Sequence, residues 1–531
     1  MDWPKAQPVI RLRSPRNRRR TAAGKPGPRE TGMPGGWTII GGRSDFAAIA
    51  KTVAASAILC CLGILPAKAL PSYARQTGQP CGTCHTDFAG LTPYGRLFKI
   101  KGYTAGGGAY RSTLFPDGSG TRPYIPPLLA ESLAVENASK PDSSDPKPYA
   151  PPLSMMTVVG FTNAATPLSP PSAPFNGNNN FALSSVNFMY GGAIADHIGA
   201  FAQVSYSGQP AGGFSGGSPY GHSWTWDNTD VRFADSTNIG GVSVTYGITA
   251  NNNPTVQDPW NTTPAWRFPY VASPFGGGFG ASPIIAGGFA QNVVSLGGYA
   301  FINDAIYIES SVYTTLNPNA QIALGADPFA SNGLFDTAPY WRVAYEPHWG
   351  NSWLEFGTFG MYAQVHPWAM PNTTTTATFP QTDKYTDVGF DTQYQYQGSN
   401  FWVTLRGSYI YEYQRLDATF FNRISSNPSN TLNEARAYAS LAYGNNNRVV
   451  FTGQYFTTWG APDLGLYGGS PNTKGFIAEI AYIPFISSFS PGWPWFNARV
   501  GLQYTAYAEF NGTSVGASAN NSLYLYLWMA M

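Results

Sequence analysis

Residues 401–412 read FWVTLRGSYIYE, and their alternation decides the fold. Phe401, Val403, Leu405, Tyr409 and Tyr411 fall on one side of an extended strand, and Trp402, Thr404, Arg406, Ser408 and Glu412 on the other. A period of two puts successive side chains on opposite faces of a pleated strand. An apolar face opposed to one carrying Arg and Glu suits a strand with lipid outside and a polar lumen inside. Residues 496–507 repeat the pattern: Phe496, Ala498, Val500, Leu502, Tyr504 and Ala506 alternate with Asn497, Arg499, Gln503, Thr505 and Tyr507.

Working outward, about sixteen segments have the length and alternation of membrane-crossing strands. They centre near 157, 186, 202, 231, 245, 295, 310, 342, 358, 390, 406, 437, 453, 478, 502 and 525. Connections alternate between short and long. Thr237–Gly240, Asn303-Asp304, Gly398-Ser399 and Gly444–Asn447 are short and belong at a periplasmic end. Residues 208–225, 250–288, 317–337 and 364–382 are long and are expected to face outside. The chain ends in the same alternation, with Leu523, Leu525, Leu527, Met529 and Met531 outward and Tyr524, Tyr526 and Trp528 inward. It closes on Met where a barrel's last strand usually carries Phe.

Composition agrees. Charged residues are 11 % of the chain and aromatics 15 %, whereas a soluble globular protein carries roughly 25 % charge. The long apolar runs of a helical membrane protein are absent. The expected fold is therefore all-β, an antiparallel transmembrane barrel over 153–531 in the outer membrane of a Gram-negative bacterium, facing its lipid. A soluble β-sandwich or β-propeller is the competing reading, disfavoured by the strand lengths and the leader.

The N-terminal region is of another kind. Residues 1–69 combine a basic stretch, an apolar core from Thr52 to Leu65 and the sequence Ala67-Lys68-Ala69, the pattern of a secretory signal with cleavage before Leu70. The basic extension is longer than a signal needs, which points to a translation start nearer Met33. Of the 31 basic and 29 acidic residues, 12 and 3 lie in this leader, so the remainder carries 19 and 26, a net charge of −7. That balance gives no support to a nucleic-acid partner. Past the leader only two cysteines remain, in Cys81-Gly82-Thr83-Cys84-His85.

C-x-x-C-H is the attachment signature of c-type haem. Two thiols add to the haem vinyl groups, and the adjacent His ligates the iron from below. Zinc would need four ligands, and no second Cys pair exists. A redox disulfide motif would sit in a βαβ setting, which is missing here. Residues 70–104 thus form a small monohaem domain with one haem c on Cys81, Cys84 and His85. Thr92-Pro93 begins a helix and Gly102 follows its end. Tyr94, Leu97 and Phe98 share a face able to cover one haem plane. Arg75, Arg96, Lys99 and Lys101 are candidates for the haem propionates, or simply a solvated basic face. No Met or His lies between Thr86 and Ser154, which leaves the sixth ligand to Met155 or Met156, to Lys99 or Lys101, or to water. Met156 is the candidate the strand favours, because Leu153, Met155, Val159 and Phe161 make the more apolar face and turn Met156 into the lumen; the competing reading is that it only fills the barrel wall. Residues 105–152, rich in Pro, Gly, Ser and Asp, read as a tether.

Leu70-Pro71-Ser72-Tyr73-Ala74-Arg75-Gln76-Thr77-Gly78, the haem motif, Pro93-Tyr94-Gly95-Arg96-Leu97-Phe98-Lys99 and Gly102-Tyr103 together resemble the fused monohaem cytochrome–porins of iron-oxidising bacteria. The resemblance implies a cytochrome in or below the lumen that passes electrons from extracellular Fe(II) to a periplasmic c-type cytochrome or similar carrier. His222 and His366 in expected external loops, and His197 and His348 near expected periplasmic turns, read as isolated surface residues. Two other functions fit the sequence: a porin whose haem domain only plugs or senses, and a conduit for another redox partner.

Overall fold

The computed structural model describes residues 72–77, 79–87, 89–104, 152–167, 177–207, 224–326, 332–367, 381–444, 447–487, 490 and 492–531. These fall in one compact unit, Pro66–Met531. The expected leader lies outside the described residues, as does the expected tether but for Pro152.

Sixteen long antiparallel strands build one sheet. They are β1 Leu153–Ala164, β2 Asn179–Ala195, β3 Ile198–Ser207, β4 Trp224–Ile239, β5 Val242–Asn251 and β6 Val293–Ile302. Next come β7 Ile306–Thr315, β8 Ala338–Tyr345, β9 Ser352–Pro367, β10 Asp383–Gln397 and β11 Phe401–Arg415. The last are β12 Ser429–Tyr443, β13 Val449–Gly460, β14 Thr473–Tyr482, β15 Asn497–Glu509 and β16 Ser522–Ala530. Each strand pairs with its sequence neighbours, and the short pieces Asn332–Leu334 and His348–Trp349 extend the edges of β9. β1 closes the circle on β16, in register from Met156 against Ala530 to Ala164 against Ser522. Every one of the sixteen expected centres falls inside a strand.

Closure follows from the solvent. Lipid offers no hydrogen bonds, so each backbone N–H and C=O must find a partner in the sheet. The outside carries Phe356, Phe390, Leu405, Phe451, Ile480 and Leu502, all exposed. Exposed rings flank this belt at both rims: Tyr345, Trp349, Tyr396, Tyr443 and Tyr482 toward the short turns, and Tyr362, Tyr413 and Trp459 toward the long loops. An apolar band between aromatic girdles is the outer surface of an outer-membrane barrel. Trp402, Thr404, Arg406 and Glu412 turn inward and are buried, as the alternation of β11 requires. Among the described residues no helix is long and apolar enough to cross a membrane.

The segment 252–292 departs from expectation. It does not project outward but folds into the lumen. Val256, Trp260, Phe268, Ile285 and Phe289 within it are at most 2 % exposed. Asp258 of this inward loop lies 3.1 Å from Arg342 on β8, which also holds Asp391 at 2.8 Å and Glu355 at 3.2 Å. Arg267 pairs with Glu434 on β12. Ile284 and Ile285 donate their backbone N–H groups to Glu412 and Asp387. Buried charges of this kind persist only when paired and hydrogen-bonded, and the loop supplies the missing partners for the wall.

Candidate functional site

The chain ahead of the barrel is a plug inside it. Its helices are α1 Ser72–Thr77, the single turn α2 Cys81–Cys84 and α3 Pro93–Ile100. α3 starts where the sequence placed it. Thr92 caps it by accepting from Gly95 N at 3.2 Å, Pro93 fills the first position, and Gly102 follows its end at φ +69°. The Thr92 hydroxyl also donates to Thr83 O at 2.6 Å, and its N–H to Cys84 O at 2.9 Å, clamping α3 to the cysteine turn. A Cβ on Gly95 would lie 2.3 Å from Cys84 O, so only glycine permits this approach.

Polar contacts fix the plug to the wall. Arg96 reaches Glu346 at 2.8 Å and Gln395 Oε1 at 2.5 Å. Lys99 Nζ donates to Val256 O at 2.8 Å, Asp258 O at 2.7 Å and Asn261 Oδ1 at 3.3 Å. Tyr103 donates to Asp230 of β4 at 2.7 Å, Tyr299 of β6 to Ile100 O at 2.6 Å, and Tyr73 to Ala200 O at 3.0 Å. Arg96 and Lys99, expected beside haem propionates, are therefore committed to the barrel and its inward loop. Lys99, also considered as an iron ligand, points its ammonium at loop acceptors. Burial pulls its pKa down to about 7.

Cys81 and Cys84 are free thiols. The Cys81 sulfur takes a 3.5 Å contact from Asn497 Nδ2, and Cys81 packs with Trp353, Trp402 and Val450. These residues and Asn447, which donates to His85 O at 3.3 Å, stand at the short-turn end of the barrel. That end is periplasmic in barrels of this class. His85 Nδ1 lies 3.2 Å from Gly90 O. A carbonyl only accepts, so the proton sits on Nδ1 and Nε2 keeps its lone pair, the usual second contact of a metal-binding imidazole. Burial lowers the His85 pKa to about 4, raises that of Cys84 to about 12 and raises that of Cys81. A redox C-x-x-C pair needs one stabilised thiolate, and burial here disfavours the thiolate at both cysteines.

Cys81, Cys84 and His85 line a cavity of about 430 Å³, within the range of small-molecule and cofactor sites. Leu91 and Phe98 of the plug, Phe201 of β3, Trp266 of the inward loop and Trp528 of β16 supply apolar walls. Two thiols, an imidazole with a free Nε2 and a largely apolar chamber, which Lys99 and Arg267 also line, suit a covalently held haem, and the residues fit the group. Of the face expected to cover a haem plane only Phe98 lines the cavity; Tyr94 packs with Phe98 and Tyr103, and Leu97 beside Trp260 and Tyr299.

Met156 lines the same cavity, inward on β1, whereas Met155 faces outward and exchanges backbone hydrogen bonds with Met531. Sequence reasoning missed Met189. It is 8 % exposed, lines the cavity from β2 and is the diagonal neighbour of Met156, which itself pairs with Asn187. Alternation with the exposed Phe188 was the available signal. His197 and His348 lie beside short turns and His366 at the long-loop end of β9 against Phe335, and none of the three lines the cavity; His222 lies outside the described residues.

Architecture and girdles define the class, a sixteen-stranded outer-membrane β-barrel with a plugged lumen. No protein-family model and no curated protein matches the sequence. The anion-selective porin of Comamonas acidovorans overlays with a TM-score of 0.39 at 10 % identity, over 71 % of this chain and 98 % of that one. OmpF of Salmonella typhi, in complex with daunomycin, gives 0.38 at 12 % identity over 71 % and 96 %. In-vitro folded OmpT of Vibrio cholerae gives 0.36 at 10 % identity over 71 % and 95 %. Likeness at this level adds nothing to the evidence of the closed sheet itself.

Proposed function

We propose that this barrel is an electron conduit of the outer membrane. In this reading Cys81, Cys84 and His85 would hold one haem c toward the periplasmic mouth, with Met156 the further candidate ligand. The conduit would serve electron passage between the cell exterior and a periplasmic c-type cytochrome or similar carrier, with extracellular Fe(II) as donor. The haem would supply one-electron chemistry at its iron. The chain's own residues do the rest. Asn497 and Asn447 position the cysteine turn, Gly90 O orients the imidazole, and the plug with the inward loop keeps the lumen from leaking. The observation that carries the reading is that Cys81, Cys84, His85 and Met156, from plug and wall, line one largely apolar cavity. Stopped-flow haem spectroscopy of the purified protein tests it: Fe(II) should reduce the haem, and His85→Ala should abolish the response while the barrel stays folded.

The plugged lumen itself favours a second reading, a porin whose N-terminal domain gates the channel. It calls for ion conductance and solute uptake that are unchanged in His85→Ala. Bilayer recording separates the two.

A further inference from the structure

At the long-loop end of the barrel, the lipid-facing rows of β10 and β11 finish in cations. Lys384 and Arg415 are register partners. Phe390, Val388 and Thr386 lead up to Lys384 on the outward face, and Tyr411 and Tyr413 lead up to Arg415. The side chains are 32 % and 57 % exposed. Beyond Arg415 the chain makes the short helix α4, Asp417–Phe421, and then turns at Arg423 with φ +58°. The turn creates a surface groove of about 780 Å³ lined by Arg415, Arg423, Phe420 and Phe421 among others.

The exposed charge at this groove is mainly cationic. Asp417 is its one carboxylate among the described residues, 2.9 Å from Arg415 and 3.9 Å from Lys384. Arg423 is exposed and has no ion pair among the described residues. Arg415 and Arg423 line the groove and Lys384 flanks it, against Asp417 at the surface; Asp383 and Asp463 lie beneath, hydrogen-bonded to Ala418, Thr419, Ser425 and Ser426. This exposed charge stands just above the upper aromatic girdle, where headgroups lie. Phe421 is 67 % exposed and Phe420 44 %, lining the groove beside Arg415 and Arg423. Large exposed apolar groups in a cluster mark a binding surface.

We propose that this groove binds lipid A, the phosphorylated glycolipid of the outer leaflet. Arg415, Arg423 and Lys384 hold a glucosamine phosphate, and the acyl chains descend along Tyr413, Tyr411 and Phe390. Guanidinium forks suit phosphate because they donate two parallel hydrogen bonds. A small phosphate anion would meet only the cations. A lipid also meets the rings and the belt, and the membrane already presents it at this height. The proposal is independent of the haem reading.

The test is native mass spectrometry of the full chain released from detergent after titration with bis-phosphorylated lipid A, phosphatidylglycerol or inorganic pyrophosphate. One lipid A should be retained per barrel, more tightly than phosphatidylglycerol, with no pyrophosphate retained. Joint Arg415→Ala and Arg423→Ala should weaken retention at least tenfold, and joint Phe420→Ser and Phe421→Ser should weaken it as well, with both variants still heat-modifiable on gels. Should the arginine variant fail to fold, the wild type decides through salt, since binding should weaken from about 50 to about 500 mM ionic strength as charges are screened. Equal retention by the arginine variant, equal binding of phosphatidylglycerol, or binding indifferent to salt would each overturn the assignment.

Discussion

Arg96 on the plug helix lies 2.8 Å from Glu346 at the foot of β8, and both side chains are nearly shut off from solvent. Trp260 of the inward loop donates its indole N–H to the same carboxylate. Glu346 thus ties plug, loop and wall together. Removing one partner of a buried pair leaves an uncompensated charge, at a cost of about 3–5 kcal/mol. Arg96→Ala should therefore loosen the plug and leave the strands in place. The expected results are new ion conductance in planar bilayers and protease cleavage within 72–104. A variant as silent and as resistant as the wild type would remove Arg96 from the locking role.

The cysteine turn gives the most direct prediction. With haem held through Cys81 and Cys84, denatured protein should keep haem peroxidase staining on a gel. Joint Cys81→Ala and Cys84→Ala should abolish the stain and leave a heat-modifiable barrel, because Cys81 adds only a minor contact to its Trp353 and Trp402 cluster. Undiminished staining would reject covalent attachment.

Gly95 tests how closely α3 must approach that turn. In Gly95→Ala the new methyl would press on the Cys84 backbone oxygen, which no rotamer change can relieve. We expect covalent haem occupancy to fall several-fold, with the sheet unaffected. Occupancy equal to wild type would mean that the α2–α3 contact does not shape the site.

These elements differ in how far the sequence foretold them. The strands were legible because lipid on one side and a lumen on the other impose period two, as in Trp402 against Val403. α3 was legible through Thr92, Pro93 and Gly102, each with a local reason for its place. The inward course of 252–292 was not. It depends on Asp258 meeting Arg342 and Arg267 meeting Glu434, contacts between distant segments that no local period encodes. The roles of Arg96 and Lys99 were hidden for the same reason: a basic residue on a helix face looks alike whether it awaits a propionate, a wall carboxylate such as Glu346 or the loop carbonyls that Lys99 meets.

Lys99 makes a pH prediction. Burial lowers its folded pKa to about 7 from an ordinary 10.5. Between these values the unfolded chain keeps a proton that the folded chain has released, so stability rises with pH across the window. Below about pH 7 both states are protonated and the burial penalty is felt in full. The melting temperature of the detergent-solubilised protein, followed by Trp fluorescence, should rise from pH 7 toward pH 10 more steeply in the wild type than in Lys99→Met. Parallel profiles would show that Lys99 does not titrate in that range.

The distal ligand is the sharpest question, because two thioethers face the cavity. Met156 points inward from β1, in contact with the Trp528 cluster, and Met189 points inward from β2 on the diagonal. Both are common gap-fillers of apolar walls, so position alone does not make either a ligand. A thioether on the iron would raise the potential relative to bis-histidine ligation and suit the acceptance of an electron from iron. We expect Met156→Leu to abolish the Met–iron charge-transfer band and lower the midpoint potential, with haem staining intact. Met189→Leu should preserve the band, since that side chain is the more deeply packed at 8 % exposure. Loss of the band in Met189→Leu alone would transfer the ligand to β2. A wild-type spectrum without the band would exclude both methionines and leave Met156 as part of the wall.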